Sequence, residues 1–346
     1  MTTVTRVLVV DDSAFVRKVV REMLSRSPYI EVVGAARDGE EALEMTETLK
    51  PDVVTCDLVM PRLDGVGFVR EQMKRRPLPI IILSVIASNG DRALEALQAG
   101  ALDFVQKPTS LANEVILKIR DELTEKVKGA AGAPAARLVA ADIPFPSPIV
   151  PVNGRTLRVG AVVLGISTGG PQALRYMLPQ FPADFPVPLC IVLHMPVGYT
   201  YLFAEKLNEL SKIEVKEAAE GDVLRPGQAL LAKAGRHLVL RRGTGGAVTA
   251  QLAINPTESL HRPSADVLFH SAAEVYNKRV LGVVMTGMGD DGKQGSAWIK
   301  AQGGTILTEA AESCVIYGMP RSVTEAGLSD ACVPLERMAQ AIMENL

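Results

Sequence analysis

Short apolar runs alternate with longer amphipathic stretches along most of the chain. Over residues 6 to about 126 the runs are Val7–Val10, Ile30–Ala35, Val53–Cys56, Ile80–Leu83 and Phe104–Val105. They are too short for ordinary helices and predict strands. Helical periodicity fills the intervals, at Ala14–Ser25, Glu40–Leu49, Gly65–Arg75, Arg92–Ala99 and Leu111–Lys126. Five strand–helix units in a row imply a parallel sheet covered on both faces. Ligands of such sheets gather at the carboxyl ends of the strands.

From Lys128 to Gly154 the pattern stops. This stretch is rich in alanine, glycine and proline, including Pro134, Pro144, Pro146, Pro148 and Pro151, and reads as an interdomain linker. Alternation resumes with a strand at Val159–Leu164, a helix at Pro171–Leu178, a strand at Leu189–Leu193 and a helix at Tyr199–Leu210. Between about Ile213 and Leu252 short β-prone runs are broken by Gly221, Gly227, Gly235 and the Gly243–Gly246 cluster, which predicts hairpins. The strand–helix pattern returns with a helix at Val267–Tyr276, a strand at Val280–Met285 and a helix at Gly292–Ala301. The expected organisation is a domain over residues 1–127, a linker over 128–154 and a second α/β domain over 155–346.

Composition adds mostly exclusions. The chain has 346 residues, about right for two domains, and 47 % are hydrophobic, enough for two packed cores. The net charge is −2 and no basic block stands out, which argues against nucleic acid as a partner. No apolar run reaches the roughly 18–20 residues that span a bilayer, and the N-terminus lacks a signal-peptide pattern. A cytoplasmic protein with no direct membrane insertion is expected. Cys56, Cys190, Cys314 and Cys332 have no metal-ligand spacing, and neither do His194, His237, His261 and His270.

The chemistry lies at the strand ends. Asp11 and Asp12 end the first strand, Asp57 the third and Ser84 the fourth, and Lys107 follows the fifth. Three converging carboxylates repel one another and call for a cation; an all-oxygen set suits Mg²⁺. An ammonium from Lys107 and a hydroxyl from Ser84 would then meet a transferred phosphoryl group. In the second half, Gly165-Ile166-Ser167-Thr168-Gly169-Gly170-Pro171 makes a sharp strand-to-helix turn that exposes a hydroxyl. A dinucleotide loop would want an acidic residue at the next strand end. His194 stands there instead and suits a general base for Ser167. The third member of a triad would be Asp290 or Asp291, between which periodicity does not choose.

Two resemblances follow from these residues. Residues 5–126, with V-D-D-S, D-L-V-M-P-R-L-D-G, a serine and K-P, closely resemble response-regulator receiver domains. The resemblance implies a flavodoxin-like (βα)5 fold and phosphorylation of Asp57 by a histidine kinase. It implies Mg²⁺ held by Asp11, Asp12, Asp57 and the carbonyl of Val59, and places Phe104 where an aromatic switch residue is common. Residues 158–345, with G-x-S-T-G-G-P, H-M-P, H-R-P-S-x-D-V-L-F, T-G-M-G-x-D-G and G-M-P-R, resemble the catalytic domain of chemotaxis protein-glutamate methylesterases. That implies a doubly wound, mostly parallel α/β esterase domain with a β-hairpin insertion and no cofactor. It selects Asp291 over Asp290 and implies an oxyanion hole built with the Met288 N–H, with Thr168 beside the nucleophile. It further implies methyl-accepting chemotaxis receptors as substrate, with glutamine deamidation as a second activity. Leu193 and Ala232-Lys233 depart from the family's frequent Gln and Ala-Pro. The segment His261-Arg262-Pro263-Ser264 faces the site on this reading, with Arg262 greeting an acidic substrate or, more plainly, Ser264 capping the next helix.

Overall fold

The computed structural model describes residues 4–84, 90–107, 113–133 and 158–346. The chain divides into two units, Met1–Ile143 and Pro144–Leu346.

In the first unit the apolar runs become β1 (Thr5–Val10), β2 (Ile30–Ala36), β3 (Val53–Asp57), β4 (Ile80–Ser84) and β5 (Asp103–Gln106). They form one parallel sheet in the order β2-β1-β3-β4-β5. Helices α1 (Ala14–Leu24), α2 (Gly39–Leu49), α3 (Gly65–Arg75), α4 (Gly90–Gln98) and α5 (Asn113–Ala131) connect or follow the strands. Polar side chains start three of these helices: Ser13, Asp38 and Asp64 each accept a backbone N–H of the first turn, satisfying donors the helix cannot pair itself. Leu8, Val54, Ile81, Ile82 and Val105 are fully buried strand residues of the core. The strand order reverses direction between β1 and β3, which brings their carboxyl ends side by side. Helix α5 runs to Ala131, so residues 128–131 are helical rather than linker. Val127 and Ala130 are buried, and this packing carries the helix past the point where composition alone ends it.

The second unit holds β6 (Ala161–Ile166), α6 (Gly170–Met177), β7 (Leu189–Leu193), α7 (Thr200–Leu210), β8 (Glu214–Glu217), β9 (Gln228–Leu231), β10 (His237–Arg242), β11 (Val248–Ala253), α8 (Ala265–Tyr276), β12 (Val280–Val284), α9 (Lys293–Ala301), β13 (Thr305–Glu309), α10 (Met319–Glu325), β14 (Ala331–Val333) and α11 (Leu335–Glu344). Seven strands form a parallel sheet in the order β14-β13-β12-β6-β7-β9-β8. Among the described residues, only β10 and β11 make an antiparallel hairpin. The hairpin expectation for residues 213–252 therefore needs correction: β8 and β9 pair in parallel and extend the main sheet. The chain between them turns back at Gly221 and Gly227, both at positive φ, so a short crossover replaces a helix.

Helix α5 carries a buried charge, Lys126. Its Nζ lies 3.1 Å from Asp103 Oδ1 and 3.2 Å from Glu122 Oε1, and donates to the Phe104 carbonyl at 2.9 Å. Burial pulls the ammonium pKa down, but Asp103 and Glu122 overcome it and hold it above its ordinary value. Its stabilising contribution is therefore present through the neutral range and lost only at alkaline pH. Lys126→Met removes this cation from the buried Asp103 and should cost about 3–5 kcal/mol. Urea titration of the full chain, read by hydrogen exchange in β5, checks this. Adding Asp103→Asn should recover much of the loss, and no recovery would mean that the ion pair is not its cause.

Candidate active site and phosphoryl-acceptor site

In the first unit Asp11 directly follows β1, Asp57 closes β3 and Lys107 directly follows β5. Lys107 Nζ lies 2.7 Å from Asp11 Oδ2 and 2.7 Å from Asp57 Oδ2. Backbone N–H groups fix the other oxygens: Ser13 donates to Asp11 Oδ1 at 2.9 Å and Leu58 to Asp57 Oδ1 at 2.7 Å. Burial pushes the Asp11 carboxyl above its usual range; Asp57 adds to this and Lys107 opposes it. Burial likewise works against the Lys107 ammonium, but the two carboxylates hold its pKa above the ordinary value. Asp12 is exposed, and Asp11, Asp12 and Asp57 each offer an oxygen within 4.8 Å of the others. Hard oxygen donors at this spacing fit a small divalent cation. Ser84 is buried at the end of β4, and Phe104 has its ring inside the core. Val59 lies in the loop after β3 with its side chain in solvent.

The same loop carries a residue the sequence did not single out. Arg62 has left-handed φ (62°) and pairs with Asp38, a fully buried carboxylate at the N-cap of α2. The pair ties the loop after β3 to the loop after β2.

In the second unit three adjacent strands deliver three side chains. Ser167 follows β6, His194 follows the neighbouring β7, and Asp291 lies in the loop after β12 on the other side. The Ser167 N–H donates to the Thr286 carbonyl at 2.9 Å, and the His194 N–H to the Ile166 carbonyl at 3.2 Å. Gly287 must lack a side chain: a Cβ there would sit 2.4 Å from Met319 Sδ and 2.8 Å from Ser167 Cβ. Gly169 has a φ of +82° and starts α6, where the chain turns sharply from strand to helix.

His194 Nε2 lies 2.8 Å from Asp291 Oδ2. Its Nδ1 is buried and has no hydrogen-bond partner, so the link to Ser167 is open in this structure. The imidazole stacks on His261, with centroids 4.0 Å apart and planes 17° from parallel. Asp291 also accepts from Ser264 Oγ at 2.8 Å and from the N–H groups of Ala265 (2.7 Å), Asp266 (3.0 Å) and Gly292 (3.1 Å). Burial pushes its carboxyl up, but the His194 bond and these donors outweigh it and hold the pKa far below the usual range. Asp291 is thus an anion at any working pH. Asp290 is exposed beside it, and its carbonyl accepts the Lys293 N–H at 3.0 Å.

Ser264 occupies the N-cap position of α8, but its hydroxyl turns to Asp291, whose carboxylate caps the helix in its place. Arg262 turns its Nη2 to the Thr257 carbonyl, 3.2 Å away in its own loop. The Met288 N–H has no partner among the described residues, while Thr168 is buried next to the nucleophile. Leu193 and Ala232 are buried strand-end residues, and Lys233 pairs with Glu217 at 3.1 Å. Glu309, fully buried, escaped notice in the sequence because it merely ends an apolar strand. It accepts the Thr286 N–H at 2.9 Å and the Ser313 hydroxyl at 2.9 Å, and Thr286 Oγ1 in turn donates to the Thr168 carbonyl at 3.0 Å.

Comparison with known proteins follows this division. Residues 162–342 match the family model described as CheB methylesterase, and residues 7–119 that of the response regulator receiver domain. The chain belongs to the CheB methylesterase family. A relative from Myxococcus xanthus, named protein-glutamate methylesterase/protein-glutamine glutaminase 5, is 49 % identical over 99 % of this chain and 98 % of its own. One from Symbiobacterium thermophilum, named protein-glutamate methylesterase/protein-glutamine glutaminase, is 43 % identical over 97 % of this chain and 96 % of its own. Among solved structures, the CheB methylesterase catalytic domain of Thermotoga maritima is 37 % identical, with a TM-score of 0.53, and aligns over 54 % of this chain and 99 % of its own. Among the described residues no helix is long and apolar enough to cross a membrane.

Two expectations separate the carboxylates of the CheB site. Asp291→Asn should lower kcat for ester hydrolysis by up to about 10⁴-fold, because it disturbs the tautomer of His194. It should also cost about 1 kcal/mol through the lost cap of α8. Asp290→Asn should change neither by more than about twofold, as an exposed surface substitution. Hydrolysis rates and urea midpoints of both variants check this; equal losses would place the acid at the wrong residue. Gly287→Ala should abolish turnover with the receiver unit intact, since the added methyl displaces Ser167 and Met319; wild-type turnover would mean that this close approach is dispensable.

Proposed function

We propose that Ser167, His194 and Asp291 hydrolyse glutamate methyl esters on chemotaxis receptors, and that phosphorylation of Asp57 raises the rate. One observation carries the reading: an imidazole held at Nε2 by a buried anion, with Nδ1 enclosed and unpaired. Asp291 fixes the tautomer that carries its proton on Nε2, which leaves the Nδ1 lone pair for the serine proton. Substrate entry would bring the Ser167 hydroxyl and Nδ1 within hydrogen-bond reach, since such contacts are often open before the substrate binds.

Ser167 Oγ attacks the side-chain carbonyl of the methylated glutamate as Nδ1 takes its proton. Charge develops on the carbonyl oxygen, where the Met288 N–H and Thr168 stabilise it. The imidazolium, stabilised by Asp291, returns the proton to the departing methoxide, releasing methanol and leaving an acyl-serine. Water, activated by the same nitrogen, attacks the acyl-serine and releases glutamate. A receptor glutamine follows the same course and releases ammonia. No cofactor is needed for either reaction.

In the receiver unit, Asp57 takes the phosphoryl group from a histidine kinase. Asp11, Asp12, Asp57 and the carbonyl of Val59 would hold Mg²⁺, which neutralises charge on the phosphoryl oxygens. Lys107 gives up one of its two carboxylates and turns to the phosphoryl group, with Ser84 supplying a hydroxyl. A tenfold activation needs about 1.4 kcal/mol of differential stability between two states of the chain.

Methanol release from methylated receptor membranes tests both halves. Wild type should release methanol faster with acetyl phosphate and Mg²⁺. Ser167→Ala should release essentially none, while Asp57→Asn should keep the basal rate and lose the response. Retained activity in Ser167→Ala would overturn the esterase assignment, and a full response in Asp57→Asn the phosphorylation assignment.

A further inference from the structure

Asp266 lies in the first turn of α8, and the mechanism does not use its side chain. Its Oδ1 accepts the Gly295 N–H at 2.7 Å, in the first turn of α9. Asp291, just before α9, accepts the N–H groups of Ala265 and Asp266 in the first turn of α8. Each carboxylate therefore satisfies orphan donors at the start of the other's helix, which no acceptor within those helices can pair. The exchange needs the two helices unusually close. Gly295 makes this possible: a Cβ there would sit 2.5 Å from Phe269 Cβ and 3.0 Å from Asp266 Cα.

We infer that Asp266 is a positioning residue for the catalytic aspartate, locking the starts of α8 and α9 together by reciprocal capping so that Asp291 meets His194 at a fixed angle. The inference rests on the reading of Ser167, His194 and Asp291 as the catalytic triad. Two further observations support it. Asp266 is half-buried, and burial, with Asp291 and Asp290 acting in the same direction, pushes its carboxyl up to about 6 despite the Gly295 and Gly292 donors. A carboxylate kept at that electrostatic cost has a geometric task to perform. And Ser264, two residues before it, also spends its hydroxyl on Asp291, so the whole start of α8 is organised around that anion.

The test uses the full-length chain and separates the acceptor from the charge. Asp266→Ala removes the acceptor. Asp266→Asn keeps an oxygen for the Gly295 N–H and removes the charge. Gly295→Ala leaves every polar group in place and pushes the helices apart. For ester hydrolysis in the presence of acetyl phosphate and Mg²⁺, Asp266→Ala and Gly295→Ala should each lower kcat, by up to about 10²-fold for a displacement near 1 Å, with KM within about twofold of wild type. Asp266→Asn should recover most of the loss. An alanine variant with wild-type kcat, an asparagine variant as slow as the alanine one, or a loss expressed mainly in KM would each overturn the inference. If Asp266→Ala fails to fold, the asparagine and Gly295 variants still decide it. Ser167→Ala, run alongside, separates the two levels of argument: an active Ser167→Ala undoes the triad itself, whereas a dead one beside fully active Asp266 variants undoes only the positioning role.

Discussion

The second unit is organised around one buried negative charge. Taking a carboxylate out of water costs several kcal/mol, and Asp291 is 8 % exposed. It is tolerated because five donors converge on it: one hydroxyl, three backbone N–H groups and the imidazole of His194. Backbone donors at the start of a helix are bare unless something outside the helix accepts them. Anchoring His194 and capping α8 are therefore a single requirement met by one side chain. Its neighbour Asp290 is exposed, and the five donors go to Asp291 alone. The same anchoring leaves one nitrogen of His194 committed and the other free to accept a proton.

The first unit meets the same electrostatic problem with a different device. Two buried carboxylates, Asp11 and Asp57, share a single ammonium. Nothing in that arrangement is over-determined. On the proposed function, converting Asp57 to an acyl phosphate would remove one partner of Lys107 and offer another in a new position, so that the chemistry itself would rewrite the local charge balance. Asp291, held by five donors, is built to stay as it is; Asp57, held by an ammonium and a backbone N–H, is built to change.

The sequence was most legible where a reactive side chain ends an apolar run. Asp11, Asp57, Ser84, Ser167 and His194 all sit at or just past strand ends, because a parallel sheet gathers its carboxyl termini on one edge. Legibility failed where the deciding partner is distant along the chain and carries no periodic mark. Asp266 meets Gly295 across 29 residues and Glu309 meets Thr286 across 23, and in each case the bond is to a backbone N–H that any residue would offer. Hydrophobic periodicity reports which face of an element is buried. It does not report which backbone donor a carboxylate will reach. The parallel pairing of β8 with β9 was missed for a related reason: short β-prone runs separated by glycines look alike whether the chain reverses locally or crosses over to return in the same direction.

The order of the three proposed catalytic residues along the chain, serine then histidine then aspartate, follows from strand order rather than from any rule of chemistry. The sheet places β12, β6 and β7 side by side, with β6 in the middle. Ser167 rises from the central strand, His194 from one neighbour and Asp291 from the loop after the other. The sheet changes winding direction at β6, so the chain visits one neighbour at once and the other more than a hundred residues later. Because all three strands run parallel, their carboxyl ends stay on one edge however long the excursion between them, and the hairpin and two further sheet strands fit within it without moving the site. The geometry that chemistry needs is thus set by adjacency in the sheet, and what remains for local sequence is fine positioning: a missing Cβ at Gly287 so that the β12 loop can lie against Ser167, and a carboxylate at 291 to hold the imidazole between them.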